Sequence, residues 1–404
     1  MDVLHERCCG LDVHKKNITA CIITSEGKEI RTFQTHTAEL LTLIDWVKEM
    51  RCTHVAMEST GVYWKPIVNL LESEEITVLV VNAQHMKAVP GRKTDVKDSE
   101  WIASLMRHGL LTASYIPDRP QRELRELVRY RRSMIDERAR EYNRIQKVLE
   151  GANIKLASVV SDIKGLSSRD MLDSILAGEE DVKVISSLAR GKLKKKTSQL
   201  ELALQGTIRP HQRLMLRAML THIDFLEERI LALDEEVSRR LAPFSSELDR
   251  LDGIPGVGTR TAEQILAEVG PDMSRFPTAG HLCSWAGLVP GHNESAGKRK
   301  SARTRKGNKY LRSSLAEAAN SLARSDNYLG AQFRRIARRR GHQRAVIAVA
   351  HTILTIVYHV LKDGQSYKEL GADYFDLRQR EYIIKQSIKR IEGLGFQVTI
   401  TEAS

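Results

Sequence analysis

Cysteine is scarce in this chain and is spaced neither for a metal nor for a disulfide framework. Cys8, Cys9, Cys21, Cys52 and Cys283 make an odd set of five with no Cys-x-x-Cys pair. That excludes a zinc site of the usual kind and points to free thiols in a reducing compartment. A signal-peptide core is missing as well, because Met1-Asp2-Val3-Leu4-His5-Glu6-Arg7 is charged. Long hydrophobic runs are missing too. The longest, residues 346–361, contains His351 and His359 and falls short of what a bilayer needs. The expectation is a buried core helix in a cytoplasmic protein with no membrane partner. Internal repeats, low-complexity tracts and a Gly-x-x-x-x-Gly-Lys-Ser/Thr phosphate loop are all absent from the sequence.

What is present is charge, unevenly placed. The 404 residues have length for two or three domains. The net charge of +12 comes from 63 basic and 51 acidic residues. Residues 1–118 hold 13 Lys and Arg against 16 Asp and Glu, residues 119–244 hold 25 against 19, and residues 245–362 hold 19 against 9. An acidic amino-terminal block joined to a basic carboxyl-terminal one suits a polyanionic partner.

Residues 7–13, 18–24 and 29–35 read as three strands separated by short turns. A helical pattern follows at Leu40, Leu41, Leu43, Ile44 and Val47, then a strand around Val55 and a helix over 67–71. Ile76-Thr77-Val78-Leu79-Val80-Val81 is the β-branched run of a buried parallel strand. A helix from near Thr94 closes the block. Three meandering strands followed by alternating helix and strand is the order of an RNase H-like α/β domain, expected over 1–118.

From Pro120 the chain turns helical and rich in Arg. Leu124, Val128, Arg131, Ile135, Arg138, Tyr142, Ile145 and Leu149 recur at alternating steps of four and three, as do Leu216, Met219, Ile223, Leu226, Ile230, Leu233, Val237 and Arg240. Such stripes fit an antiparallel hairpin, an oligomerising coiled coil, or the core faces of a compact bundle. This region is expected over 119–243, with Lys192-Leu193-Lys194-Lys195-Lys196 as a solvated loop. A mostly α-helical basic domain is expected over 244–364, and a tail without assignable role over 365–404.

Four carboxylates carry the chemistry. Asp12 ends the run Arg7-Cys8-Cys9-Gly10-Leu11-Asp12, Glu58 ends His54-Val55-Ala56-Met57-Glu58, and Asp95 and Asp98 open a helical pattern three residues apart. Acids at two strand tips and on one helix face can converge on paired divalent cations, which in such sites stand about 3.5–4 Å apart across a phosphodiester. Carboxylate oxygens are the ligands Mg²⁺ prefers, and so close a set would repel without a cation. Singly, each acid would be an ordinary turn, cap or helix-dipole residue. The ordered set is what points to a metal-dependent nuclease core.

Leu251-Asp252-Gly253-Ile254-Pro255-Gly256-Val257-Gly258-Thr259 precedes a helix through Ile265, Leu266 and Val269. This is a helix-hairpin-helix pattern, in which Gly256, Gly258 and Thr259 would offer backbone N–H groups to a phosphate. Then comes Asn293-Glu294-Ser295-Ala296-Gly297, followed over 298–312 by eight basic residues and no acid: Lys298, Arg299, Lys300, Arg303, Arg305, Lys306, Lys309 and Arg312. From composition alone a flexible loop that only binds DNA is the favoured reading. Lys and Arg around a serine would also steady a pentavalent phosphate. Arg334, Arg335, Arg338, Arg339 and Arg340 form a second basic face at helical spacing, expected to contact phosphates.

Together these residues resemble a known family. Gly10-Leu11-Asp12-Val13-His14-Lys15, Glu58-Ser59-Thr60-Gly61 and Lys93-Thr94-Asp95-Val96-Lys97-Asp98 look like the RuvC-like DEDD domain of bacterial insertion-sequence transposases of the IS-one-ten type. Gly287-Leu288-Val289-Pro290, Ser295-Ala296-Gly297-Lys298 and Lys306-Gly307-Asn308-Lys309-Tyr310-Leu311-Arg312 look like that family's serine-bearing, DNA-binding domain. The resemblance implies that Asp12, Glu58, Asp95 and Asp98 hold Mg²⁺ and that Ser295 forms a covalent 5′-phosphoserine link to DNA. It implies donor and target DNA as substrates, a structured non-coding guide RNA, and a homo-oligomer (dimer or tetramer) whose site combines the RuvC-like domain of one subunit with the serine domain of another. The family commonly has Ser-Gly-Gly, so Ala296 is a departure, and Ser301 stays open as another nucleophile. Two other classes also remain: a RuvC-like structure-specific endonuclease using metal-activated water, and a non-catalytic nucleic-acid-binding scaffold.

Overall fold

The computed structural model describes residues 2–74, 76–82, 98–291, 293–295, 298–301 and 303–399. It divides into two compact units, Met1–Arg122 and Glu123–Ser404.

The first unit is built on β1 (Cys8–Val13). Beside it, β2 (Asn17–Ile23) and β3 (Lys28–Gln34) meander antiparallel, with Cys8 opposite Ile23 and Asn17 opposite Gln34. On its other side β4 (His54–Glu58) and β5 (Thr77–Val81) run parallel, with Leu11 opposite Met57 and Glu58 opposite Val81. The sheet order is β3-β2-β1-β4-β5. Alternation along the strands sorts the side chains onto two faces. Cys9, Leu11, Val55 and Met57 share a core with Leu43, Ile44 and Trp46 of α1 (Thr37–Glu49) and with Ile67 and Leu71 of α2 (Trp64–Leu71). Cys8, Cys21 and Ala56 pack instead with Ile102, Ala103 and Met106 of α3 (Asp98–Arg107). Cover on both faces is why the central strands are continuous apolar runs.

Gly10 lets α3 settle on β1. A Cβ there would lie 2.2 Å from the Ser99 carbonyl oxygen and 2.4 Å from the Ala103 nitrogen. Both are backbone atoms of the helix, and neither can swing aside. Gly10→Ala is therefore expected to destabilise the first unit by about 3 kcal/mol, the upper end of ordinary overpacking costs. Thermal unfolding checks this, and an unchanged melting curve would mean that α3 does not lie this close.

The boundary between the units falls in the first turn of α4 (Arg119–Gly151). Four short helices follow, α5 (Leu156–Val159), α6 (Leu166–Ala177), α7 (Val182–Ser187) and α8 (Thr197–Ala203), and then the long α9 (Pro210–Leu241). Helices α4 and α9 pair antiparallel within the chain: Glu123 meets Arg240, Arg131 meets Asp234, Arg138 meets Glu227 and Glu141 meets His222. Leu124, Val128, Ile145 and Leu149 of one stripe and Leu216, Ile223, Leu226 and Val237 of the other are buried. The short helices close over the far end of the pair, where Leu156, Met171, Ile175, Ile185 and Leu200 join Ile145, Leu149 and Ile223 in one core. Lys192, Lys194, Lys195 and Lys196 are exposed on a short 3-10 turn, Gly191–Lys196.

Beyond them, α10 (Ser245–Asp252) and α11 (Thr259–Val269) are joined by residues 253–258, and α12 (Ala279–Trp285) leads into a two-stranded ribbon, β6 (Asn293–Ser295) and β7 (Lys298–Ser301). Then come α13 (Lys309–Ser321), α14 (Tyr328–Arg340) and α15 (His342–Asp363). The last is the axis of this part, with Val349, Ala350, Ile353, Leu354 and Val357 fully buried and α10, α12, α13 and α14 packed around it. By length and composition α15, at 22 residues, would suffice to cross a membrane. That corrects the reading of the run as too short, while the packing makes α15 a core helix. In the tail, α16 (Tyr374–Arg378) returns to α14, where Phe375 stacks on Tyr328 at 5.1 Å, and α17 (Arg380–Glu392) follows.

Candidate catalytic centre and nucleic-acid interface

Register brings Asp12 and Glu58 side by side. Strands β1 and β4 are parallel and in step at Leu11 and Met57, so each acid stands one residue further toward the carboxyl edge of the sheet. Both have the parity of Gly10 and Ala56, the residues that face α3. Asp98 is the first residue of α3, next to the Ser99 carbonyl that abuts Gly10. The Asp12 side chain is 27% exposed, with Oδ2 3.1 Å from His14 Nε2, and Glu58 Oε1 accepts from Thr60 Oγ1 at 3.4 Å. Asp95 lies outside the described residues.

Among the described residues no three Asp, Glu, His or Cys side chains are gathered tightly enough to hold an ion by themselves. In kind, the donors fit a hard cation: oxygen only, on one face, at one edge of the sheet. The thiols of Cys8, at the amino end of β1, and Cys52, just before β4, stand at the opposite edge of the sheet from Asp12 and Glu58. Burial pushes Cys8 up to about 11 and Cys52 up to about 12, so both stay protonated and unreactive.

In the second unit, the turn before α11 splits the three residues expected there. Gly256, at φ +84°, faces inward, and a Cβ on it would meet the Ala318 carbonyl at 2.8 Å. Gly258 is open, with nothing within 4 Å of the Cβ position, and its carbonyl accepts from Thr261 N at 2.8 Å to start α11. Thr259 is exposed and donates through Oγ1 to Asp252 Oδ1 at 3.0 Å.

Ser295 ends β6 and is paired with Lys298 at the start of β7, with Glu294 opposite Arg299 and Asn293 opposite Ser301. The serine therefore stands at the tip of a ribbon, where composition suggests a loop. Gly291 N donates to the Arg303 carbonyl at 2.8 Å and Arg305 N to the Val289 carbonyl at 3.1 Å, which fastens the foot. Gly287 and Gly307 cross there so closely that a Cβ on Gly307 would lie 2.4 Å from Gly287 N. The side chains of Ser295, Lys298, Arg299, Lys300 and Ser301 lie outside the described set. Arg303, Arg305, Lys306 and Lys309 are exposed, and Arg312 Nη1 donates to Thr304 Oγ1 at 3.4 Å. Arg338 and Arg339 are exposed at the end of α14. Arg335 is engaged by the tail, donating to Asp376 Oδ1 at 2.7 Å and to Gln379 Oε1 at 3.0 Å.

Glu268 escapes sequence reasoning. It is completely buried on α11, where Arg129 donates to it from Nε and Nη2, both at 2.7 Å, and Asn308 from Nδ2 at 2.6 Å. Gln264 Nε2 adds a bond at 3.2 Å, and Arg125 Nε stands 3.6 Å away. Asn308 in turn caps α13, its Oδ1 accepting from Tyr310 N and Leu311 N at 3.1 Å. Burial opposes the Arg129 charge, but the bonds to Glu268 outweigh it and hold its pKa above the usual guanidinium value. The sequence signal was an acid inside an apolar run, Ile265-Leu266-Ala267-Glu268-Val269, since a buried carboxylate requires partners.

A mixed sheet of three antiparallel and two parallel strands, with acids at its carboxyl edge and a helical basic unit following, is consistent with an RNase H-like DEDD protein that acts on nucleic acid. Residues 9–154 match the DEDD transposase domain of IS110 elements, and residues 248–334 match the transposase IS116/IS110/IS902 family. The chain belongs to the IS110 family of transposases. It is 23% identical over 367 residues to the transposase for insertion sequence element IS1111A of Coxiella burnetii, spanning 89% of this chain and 90% of that one. It is 24% identical over 381 residues to the pilin gene-inverting protein of Moraxella lacunata, spanning 89% and 96%. Over a shorter stretch of 120 residues, 29% of each chain, it is 33% identical to an uncharacterized 43.6 kDa protein of insertion element IS110 from Streptomyces coelicolor.

Proposed function

We propose that this transposase cuts and rejoins DNA with two sets of groups: Asp12, Glu58, Asp95 and Asp98, which hold Mg²⁺, and Ser295, which becomes joined to the DNA. The observation that carries the reading is the shared register and parity of Asp12 and Glu58 beside the start of α3. When bound, the cation supplies Lewis-acid stabilisation of charge on the scissile phosphate.

Ser295 Oγ attacks phosphorus. A Ser Oγ–P bond forms, the P–O3′ bond breaks, and the serine proton ends on the departing 3′ oxygen. The products are a 5′-phosphoserine and a free 3′-hydroxyl. Attack on the phosphoserine by a second 3′-hydroxyl restores a phosphodiester and frees the serine, so one covalent link serves both cutting and joining. Lys298, opposite Ser295 in the ribbon, and the basic residues that follow would neutralise the phosphates around the exchange. The Moraxella lacunata relative is named for gene inversion and the Coxiella burnetii relative for an insertion element. Both outcomes require strands to be cut and rejoined. A structured non-coding RNA and a homo-oligomer, dimer or tetramer, complete the proposal as partners.

The test is covalent trapping of labelled element-end DNA in Mg²⁺, with the flanking transcript supplied and withheld, on a denaturing gel. An adduct in wild type that Ser295→Ala and Asp12→Asn both lose is the expected result. Cutting without an adduct would favour a RuvC-like endonuclease using water, an adduct surviving Ser295→Ala would move the role to Ser301, and an Asp12→Asn protein with every activity intact would favour a binding scaffold.

Binding is separable from chemistry. Arg338→Ala is expected to weaken affinity about equally for all sequences and to reduce the slope of log K against log salt by about 0.9, the value for a single phosphate no longer neutralised. Weakening confined to particular sequences would mean that this face reads bases.

A further inference from the structure

We infer that a cleft in the second unit receives a single unstacked nucleotide of the nucleic-acid strand, an inference that rests on the proposed action on DNA. The cleft, about 480 Å³, lies among Gln264 of α11, Lys309, Tyr310, Arg312 and Ser314 of α13, and Ile347 of α15. Its volume falls in the roughly 300–1,000 Å³ range of small-ligand sites, which admits a nucleotide and excludes a duplex.

Three kinds of group line it, and a nucleotide needs all three. Gln264 and Ser314 are only 5% and 8% exposed. Among the described residues the Ser314 hydroxyl makes no hydrogen bond, and Gln264 commits only its Nε2, to Glu268, leaving its amide oxygen as an acceptor. Neither oxygen is among the buried polar atoms left without a partner, so both are open to the cleft, and the donor and acceptor edge of a base can pair with them. Tyr310 and Ile347 give an apolar wall. Tyr310 is steadied by Arg129, whose guanidinium carbon lies 4.4 Å from the ring centre and which is itself held by Glu268. Cationic charge completes the set. Arg132, also on the cleft, is consumed by Glu317 at 2.5 Å and Asp136 at 3.0 Å. Lys309, whose Nζ lies 4.9 Å from the Tyr310 ring centre, and Arg312, which donates to Thr304 Oγ1 at 3.4 Å, have no carboxylate partner among the described residues, and their charge is available to the flanking phosphates. A base taken out of its stack and read by buried polar groups beside an aromatic is the general solution when a protein grips one nucleotide of a strand.

The test uses the full chain and a 20-nucleotide single strand, made as DNA and as RNA, with 2-aminopurine walked along it. Ser313, exposed on the rim, is replaced by Trp to fill the cleft from outside, and Ser314→Ala removes one buried polar group. Wild type is expected to brighten the probe at one position. Ser313→Trp is expected to abolish that signal and weaken binding about tenfold, the size of one lost stacked base, with an unchanged melting midpoint. Ser314→Ala is expected to weaken binding less. A signal confined to the RNA arm would keep the cleft and assign it to an RNA strand. If Ser313→Trp binds and brightens the strand as wild type does, the inference fails while the proposed function stands. If adenosine monophosphate binds wild type but not Ser313→Trp, and strand binding is unchanged, the cleft takes a free nucleotide and the assignment to a strand is overturned. If wild type binds neither strand, the inference fails, and the action on element-end DNA is decided separately by the trapping experiment.

Discussion

Asp12→Asn is expected to lose strand cleavage by about 10³-fold or more, equivalent to about 4 kcal/mol of transition-state stabilisation, while keeping DNA affinity within about twofold of wild type. The substitution preserves shape and leaves an oxygen for the 3.1 Å contact with His14, so folding has little to lose. What disappears is one negative charge from the carboxyl edge of the sheet, where Glu58 stands in register with it. Two consequences separate this from a structural defect. Without divalent cation the variant should melt no lower than wild type, because repulsion toward Glu58 is relieved. Added Mg²⁺ should raise the midpoint of wild type by linkage and should raise that of the variant much less. A variant that cleaves normally, or one that still gains wild-type stability from Mg²⁺, would remove Asp12 from the centre.

Glu268→Ala is expected to destabilise the second unit by about 3–5 kcal/mol, the cost of breaking a buried ion pair by deleting one member. The carboxylate is completely buried and serves two arginines, a glutamine and the asparagine that caps α13. Deleting it leaves the guanidinium groups of Arg125 and Arg129 close together in a poorly solvated place and releases Asn308. Glu268→Gln keeps the volume but not the charge, and is expected to fall nearer to the alanine variant than to wild type. Denaturant unfolding checks both. Wild-type stability in Glu268→Gln would mean that the charge is unimportant and that shape alone holds α11 to α13.

These two sites differ in how far the sequence exposes them. Asp12 and Glu58 are legible because each ends an apolar run, and the period of two along a strand then assigns them a face once the partner strand is known. That partner is a matter of register, which no local pattern states, and α3 reaches the same edge only because Gly10 lacks a side chain. Asp95 falls outside the described residues, so the four-acid set stays a proposal. The stripes on α4 and α9 are readable as helices, but periodicity is indifferent to whether a partner helix belongs to the same chain. The helical cap over residues 156–203 and the return of the tail to Tyr328 and Arg335 depend on contacts far apart in sequence. Glu268 is the plainest case. A glutamate among apolar residues is visible, but its partners lie on α4, some 140 residues earlier, and at Asn308, 40 residues later. The ribbon around Ser295 was hidden by its own composition, since glycine and basic residues suggest a loop and only pairing between its two halves makes it a strand.

That ribbon is a lever. It is pinned where Gly287 and Gly307 cross and where Asn308 is held by Glu268, and β6 carries the chain two residue steps from Asn293 to Ser295, about 7 Å at strand rise. Rotation of β6 about its foot by about 10° therefore swings Ser295, the proposed nucleophile, by about 1 Å, and a misplacement of about 1 Å can cost about 10²-fold in rate. The aim proposed for Ser295 would thus be set at the foot of the ribbon, by two glycines and an asparagine, and not at the serine itself.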